Sequence, residues 1–525
     1  MPLAVQALLP FLLLTGGAAA ASLPALRRRG GAIAALAAAG AAGVALTLLL
    51  RLAPAERVDI PYLRAFPTVD LLIRVDALAV AFGLSLLVTA CLLILARLLS
   101  DDDRRRPWSS WLLTTAAALG VIFAGSLVLV YALLRLCTLA WSGALDEAAP
   151  RGRGLRTAEQ IADLGLLVAA ALAAAGVGTT AFSGLPSDAL GPGTFLLALL
   201  PVAVRIAALA AAAERPRTPV LFHPAIAQAT LAGYLMLRLI AVAGGRPPGR
   251  ELQILVFAAG LALAALVSIQ AWRARSSGTA RLRLAAAQAG IAIALCALGT
   301  SVAAVAGVWA WLGVVALTAL ASIRQTPGSL GALLTTAAQT ILPPGFLFVG
   351  LWLGTVSLVQ RQLEGALIPL WLAAGLAAAA ALRHARWPAG EPRGLLSPAP
   401  VPLAAALLLL GGALPLAILP WLVIPAARIL RGIPGGTLGW GLLGITAGPT
   451  AVPTLAAALA AGGALVLWLR LPMRRSFDTA WAGVHPSAPL LRFDLPDLAR
   501  WRALPWARTA WLAYAALVVY AIVRQ

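Results

Sequence analysis

The chain has 525 residues, 61% hydrophobic and only 11% charged, with a mean hydropathy of +0.92 and a formal net charge of +21. Soluble domains carry roughly a quarter charged residues, so this composition excludes a soluble globular fold and predicts an all-α polytopic membrane protein. The positive charge, all of it arginine, lies in short loops between apolar runs, where it sets membrane orientation and does not build a nucleic-acid face.

Spans need about 20 apolar residues, and the sequence offers about sixteen candidates, giving an expected 14–16 transmembrane helices. The first, 3–22, precedes its positive charges Arg27 to Arg29 and reads as a retained span instead of a leader. The second is 31–51; a polar link, Arg51 to Arg74, leads to the third at 76–98. Ser109 to Leu145 is too long for one span and reads as a hairpin of two. Further spans are expected at 158–180, 193–213, 218–242, 252–272, 283–306, 307–323, 329–358, 366–382, 400–424, 450–470 and 508–523. With alternating spans, the loops at Arg27–Arg29, Arg104–Arg106, Arg151–Arg156, Arg215–Arg217, Arg273–Arg283, Arg324 and Arg383–Arg393 share one side. That side is expected to be cytoplasmic, with the amino terminus outside. Trp108, Trp272, Trp371, Trp387 and Trp506 stand at run ends, as interfacial anchors do. The organisation reads as amino-terminal helices and link at 1–75, a core at 76–360, and carboxy-terminal helices at 361–525 with a polar cytoplasmic segment near 471–505.

Charged residues inside apolar spans are costly and mark function. Asp76 and Asp163 are carboxylates near the starts of spans. Asp76, two residues after Arg74, fits a helix-start anchor as well as an ion path. Asp163 follows Thr157 and Gln160, which fit a capping box at the start of that helix. Arg135, Arg205 and Arg238 are guanidiniums within or at the end of spans; Arg135 is open to snorkelling as well as to an interior role. His223 is the only histidine in a span, and Gln228 and Gln288 are further polar candidates for the path. Cys91, Cys137 and Cys296 stand singly and the three histidines are far apart, so no disulfide framework, metal site or cofactor is expected.

Prolines mark expected helix breaks at Pro201, at Pro219 and at Pro343-Pro344. Interrupted spans in separated halves of a chain predict two inverted repeats, here of about five helices each, with discontinuous helices.

Several stretches, in order, resemble the antiporter-like membrane subunits of the complex I superfamily. That group is found in respiratory NADH dehydrogenases, membrane-bound hydrogenases, cation/proton antiporters and inorganic-carbon uptake complexes. The stretches are Arg74-Val75-Asp76-Ala77-Leu78, Leu136-Cys137-Thr138, Asp163-Leu164-Gly165-Leu166-Leu167, Thr218-Pro219-Val220 with His223 and Arg238, Gln288-Ala289-Gly290 and Leu342-Pro343-Pro344-Gly345-Phe346. The resemblance covers about 70 to 350 and implies a multi-pass subunit of a proton-translocating, energy-converting complex in a bacterial inner membrane. Its implied partners are other membrane subunits, the lipid bilayer, and protons or other cations.

The departures bear on the chemistry. The family's fifth-helix glutamate falls at Ala132 and its seventh-helix lysine at Arg205. Val308 to Ile323 and Leu347 to Val356 lack the ionisable groups the family carries there. Burial can bring a lysine towards neutrality, whereas arginine stays protonated. The expectation is therefore a subunit whose own proton path is impaired. An inorganic-carbon uptake subunit and a non-conducting membrane anchor remain open alternatives.

Overall fold

The computed structural model describes residues 3–52, 56–66, 69–99, 108–145, 152–212, 222–274, 276–323, 325, 330–384, 400–415, 418–433, 438–441, 444–447, 450–452 and 454. The expected spans at 450–470 and 508–523 and the polar segment at 471–505 lie outside these residues, apart from a short strand and Thr454.

The described residues form sixteen α-helices. They are α1 (Leu3–Ser22), α2 (Gly30–Arg51), α3 (Ala77–Leu98), α4 (Trp108–Phe123), α5 (Leu127–Leu145), α6 (Gly152–Val177), α7 (Pro192–Ala212) and α8 (Phe222–Val242). There follow α9 (Arg250–Trp272), α10 (Ser277–Cys296), α11 (Ser301–Ser322), α12 (Leu330–Gln339), α13 (Leu347–Gln360), α14 (Leu367–His384), α15 (Pro400–Ala413) and α16 (Ile424–Leu430). Ten of them are long and apolar enough to cross a membrane unaided. The chain is an all-α multi-pass membrane protein.

Counted as crossings, α4 to α8 give five, and α9, α10, α11, the α12–α13 pair and α14 give five more. An odd number of crossings puts the start of α9 on the face opposite the start of α4, as inversion of a repeat requires. α8 and α11 lie at the centre, each with 94% of its span buried, whereas α1 and α2 are 28% buried and form the rim. α3 packs against both central helices.

Four local features depart from the sequence expectations. The link after α2 is an antiparallel hairpin of β1 (Arg57–Phe66) and β2 (Val69–Asp76), in which Asp59 faces Arg74 and Arg57 faces Asp76. A second small sheet, in order β3 (Leu438–Gly441), β4 (Gly444–Ala447), β5 (Thr450–Val452), follows α16. The turn between α10 and α11 falls at Ala297 to Thr300, not near Ala306. Gly299 takes φ +66° there, and the Thr300 hydroxyl accepts the Ala303 N–H at 3.0 Å to cap α11. The expected span 400–424 divides instead into α15, a π-turn at Leu419–Val423 and α16. Pro415, Pro420 and Pro425 each remove a backbone donor in that stretch.

α9 and α10 meet backbone to backbone. A Cβ on Gly260 would lie 2.6 Å from the Gly290 carbonyl oxygen, and one on Gly290 would lie 2.6 Å from that of Gly260. Small residues drive such crossings in lipid, where helices gain nothing from hydrophobic exclusion. Gly290→Val is expected to force the helices apart at a cost of about 1–3 kcal/mol, read as a lower melting midpoint of the purified chain in detergent.

Candidate functional site

The polar interior is organised along α8, whose apolar spacing leaves Gln228, Tyr234 and Arg238 inside the bundle. At the end of α8, Arg238 donates to both oxygens of Asp76, Nη1 to Oδ2 at 2.6 Å and Nη2 to Oδ1 at 2.9 Å. Its Nε donates to the Tyr234 hydroxyl at 3.0 Å. Asp76 is wholly buried and Arg238 nearly so. Asp76 also caps α3, its Oδ1 accepting the Ala79 N–H at 2.9 Å. The helix-start reading and the buried-charge reading of Asp76 thus hold together.

Backbone ties bring the surrounding parts to this pair. The Gly125 N–H, between α4 and α5, donates to the Leu72 carbonyl at 2.8 Å, and the Phe182 N–H donates to the Gly125 carbonyl at 2.9 Å. A Cβ on Gly125 would overlap the Leu72 side chain, so only glycine fits. The Phe182 ring then lies under two guanidiniums, Arg238 at 5.6 Å and Arg74 at 6.0 Å from its centroid.

Arg74 does not pair with its neighbour Asp76. It forks onto Asp59 across the hairpin, Nε to Oδ1 at 2.7 Å and Nη2 to Oδ2 at 2.8 Å. Burial pushes the Asp59 carboxyl up, but the hydrogen bonds and charge of Arg74 outweigh it and hold the group below its ordinary value of 3.8. A lowered folded-state pKa stabilises the fold at pH values above 3.8 and loses that contribution as pH falls through the folded value. The melting midpoint of Asp59→Asn is therefore expected below wild type at neutral pH, with the gap closing as pH drops under 3.8.

A second charged group lies about 15 Å along α8, at the rise of ten helical residues from Arg238 to Gln228. Arg205 on α7 donates through Nη2 to Asp163 Oδ1 at 3.0 Å and through Nη1 to the Pro201 carbonyl at 3.0 Å. That carbonyl lies in the same turn of α7, which runs unbroken through Pro201; the break expected at Pro201 is absent because the helix absorbs the proline. Gln228 Nε2 donates to Glu159 Oε1 at 2.8 Å. Glu159 and Asp163 are four residues apart on α6 and share one face. α6 begins at Gly152, so Thr157 and Gln160 fall inside it and the expected capping box is not formed. Arg205 Nε, Asp163 Oδ2 and Gln228 Oε1 are buried without hydrogen-bond partners among the described residues.

In the second run of crossings the break at Pro343-Pro344 stands, separating α12 from α13. Non-helical backbone at membrane depth is tolerated only where protein groups satisfy it, and here two side chains do so. Gln288 Nε2 donates to the Gln339 carbonyl at 2.7 Å, and Trp309 Nε1 donates to the Phe346 carbonyl at 2.6 Å. Gln339 Nε2 in turn donates to the Arg281 carbonyl at 3.0 Å. Arg281, buried in the first turns of α10, donates to Gln325, which bonds the Leu320 carbonyl and the Thr335 hydroxyl. Gln288 is thus a support of the broken helix. Trp309→Phe is expected to lower stability by about 1 kcal/mol, the worth of one such bond, measurable by thermal unfolding.

The sequence candidates therefore divide into two charged groups and one amide group. Asp76 and Arg238 form the first, Asp163, Arg205 and Gln228 the second, and Gln288 belongs to the third. Arg135 on α5 is half-buried, with Nη1 unpartnered among the described residues. His223 is the second residue of α8, but its side chain, like Pro219, lies outside what is described. Ala132, where the resemblance puts a glutamate, is exposed on the outer face of α5. Sequence reading missed Glu159, because the helix start was placed too late. It also missed Asp59, Tyr234 and the Arg281–Gln325 contact, whose signals lie only in strand register or in partners distant along the chain.

No known family description matches the sequence, and no curated protein matches it either. Solved structures do. A chain of the Mrp complex from Dietzia sp. aligns with TM-score 0.70 and 20% identity over 97% of this chain and 60% of the other. The present chain thus spans about three-fifths of that chain's length. A chain of the membrane-bound sulfane sulfur reductase, an archaeal respiratory membrane complex, aligns with TM-score 0.70 and 15% identity, over 99% and 100% of the two. One from respiratory complex I of Thermus thermophilus aligns with TM-score 0.60 and 20% identity, over 83% and 100%. The chain has the fold of these membrane-complex chains, the fold the sequence resemblance implied.

Proposed function

We propose that the chain is an antiporter-like membrane subunit of a multisubunit energy-converting complex, and that its interior holds fixed charges without a working proton relay of its own. One observation carries the second half of this reading. Among the described residues the buried carboxylates Asp76, Glu159 and Asp163 all belong to the cap of α3 and to α6, and the interior of α9 to α14 contains none. Its buried cation, Arg281, is a guanidinium that stays protonated. The amides Gln288, Gln325 and Gln339 hold backbone in place. A relay needs groups that give and take protons in sequence across the membrane, and the two charged groups along α8, each holding one ion pair, Asp76–Arg238 and Asp163–Arg205, are not continued by any buried carboxylate described in α9 to α14.

Proton flux in liposomes containing the purified chain tests this. The expected flux equals that of empty liposomes under an imposed potential, and a flux above that level abolished by Glu159→Gln would overturn the reading.

A further inference from the structure

A cavity of about 200 Å³ opens above the Asp76–Arg238 pair, between the β1–β2 hairpin, the segment after α6 and the end of α8. Arg57, Arg74 and Arg238 line it, together with Phe182, Ser183 and Ser187. The charges there do not cancel. Arg74 is matched by Asp59 and Arg238 by Asp76, each through two hydrogen bonds, while Arg57 makes no ion pair among the described residues. One positive charge is left over.

Hydrogen-bond capacity points the same way. A guanidinium carries five N–H donors; Arg238 uses three in its bonds to Asp76 and Tyr234, and Arg74 uses two on Asp59. The remaining donors of three arginines and the Ser187 hydroxyl border one small space lined by no carboxylate, while the Ser183 side chain is hydrogen-bonded to Asp59. Guanidinium forks bind oxyanions in bidentate fashion. Asp59 and Asp76 pre-orient two of those forks, so a ligand would not have to immobilise them.

We propose that this cavity binds an oxyanion group with one net negative charge, a carboxylate or a phosphate, with Arg57 as its main charge partner. Two sources present that chemistry: a free small anion, and the phosphate of an anionic lipid at the membrane surface.

The full-length chain is placed in phosphatidylcholine nanodiscs and titrated with inorganic phosphate or acetate at constant ionic strength, balanced with chloride, while the melting midpoint is followed. In a second arm, nanodiscs containing phosphatidylglycerol are used and lipid retained by the chain is identified by native mass spectrometry. A free-anion site gives a saturable rise in midpoint; a lipid site gives retained phosphatidylglycerol with no such rise. In either case Arg57→Gln weakens binding about tenfold or more, and Arg57→Lys restores part of it. Arg57 is exposed on β1, so the substitution leaves the fold intact. Saturable binding that is unchanged in Arg57→Gln, an effect that chloride alone reproduces, or no anion and no lipid bound in either arm would each overturn the proposal.

Discussion

Arg238→Met is expected to destabilise the chain by about 3–5 kcal/mol, because it strands a carboxylate in the bundle. Asp76 has no solvent exposure, and both of its oxygens are engaged by Arg238. Removing the cation leaves Asp76 with the Ala79 N–H and little else. The loss is read as a lower melting midpoint, and in membranes as a lower yield of folded chain. Asp76→Asn together with Arg238→Met is expected to recover most of it, since asparagine still caps α3 and neither side chain then carries a charge. Equal damage from the double and the single substitution would mean that the cost comes from lost packing around Tyr234 and Phe182.

The second large effect is at the inner pair, where stability and transport part company. Arg205→Ala leaves Asp163 buried without its ion-pair partner and is expected to cost about as much as Arg238→Met, on the order of 3–5 kcal/mol. Asp163→Asn in the same chain should restore folding, because an amide tolerates the site better than an unpaired carboxylate. That double variant removes the Arg205–Asp163 ion pair and leaves Glu159, held by Gln228, as the cluster's remaining charge. In complex reconstituted from native subunits, its coupled proton flux is expected to stay at the wild-type level. Loss of flux with assembly intact would show that Arg205 and Asp163 take part in ion movement.

Much of this was legible in the sequence, for reasons of cost. Placing a charge in an apolar span is expensive, so Asp76, Asp163, Arg205 and Arg238 stood out, and all four are buried. Pro343-Pro344 inside a long apolar run announced the break between α12 and α13. Pairing was not legible. Arg74 and Asp76 are neighbours in sequence, yet strand register puts Arg74 opposite Asp59, and Asp76 finds its cation 162 residues away. Pro201 misled in the other direction, because a proline within a helix need not end it; α7 continues, and the Pro201 carbonyl accepts from the Arg205 guanidinium. The late start assigned to α6 hid Glu159 inside an imagined cap, although its spacing from Asp163 places both on one face. Helix α10 adds roles that no spacing announces: Gly290, read only within the Gln288-Ala289-Gly290 resemblance, sets the crossing with α9, and Gln288, a candidate for the ion path, also holds the broken helix.

Assembly is the property on which the functional reading depends most. The full-length chain, tagged at one end and solubilised from its native membrane in mild detergent, should co-purify in fixed stoichiometry with other membrane-embedded subunits identified by mass spectrometry. Recovery of the chain as a lone monomer or a homo-oligomer, with activity intact in the remaining membrane, would contradict its place in a multisubunit complex.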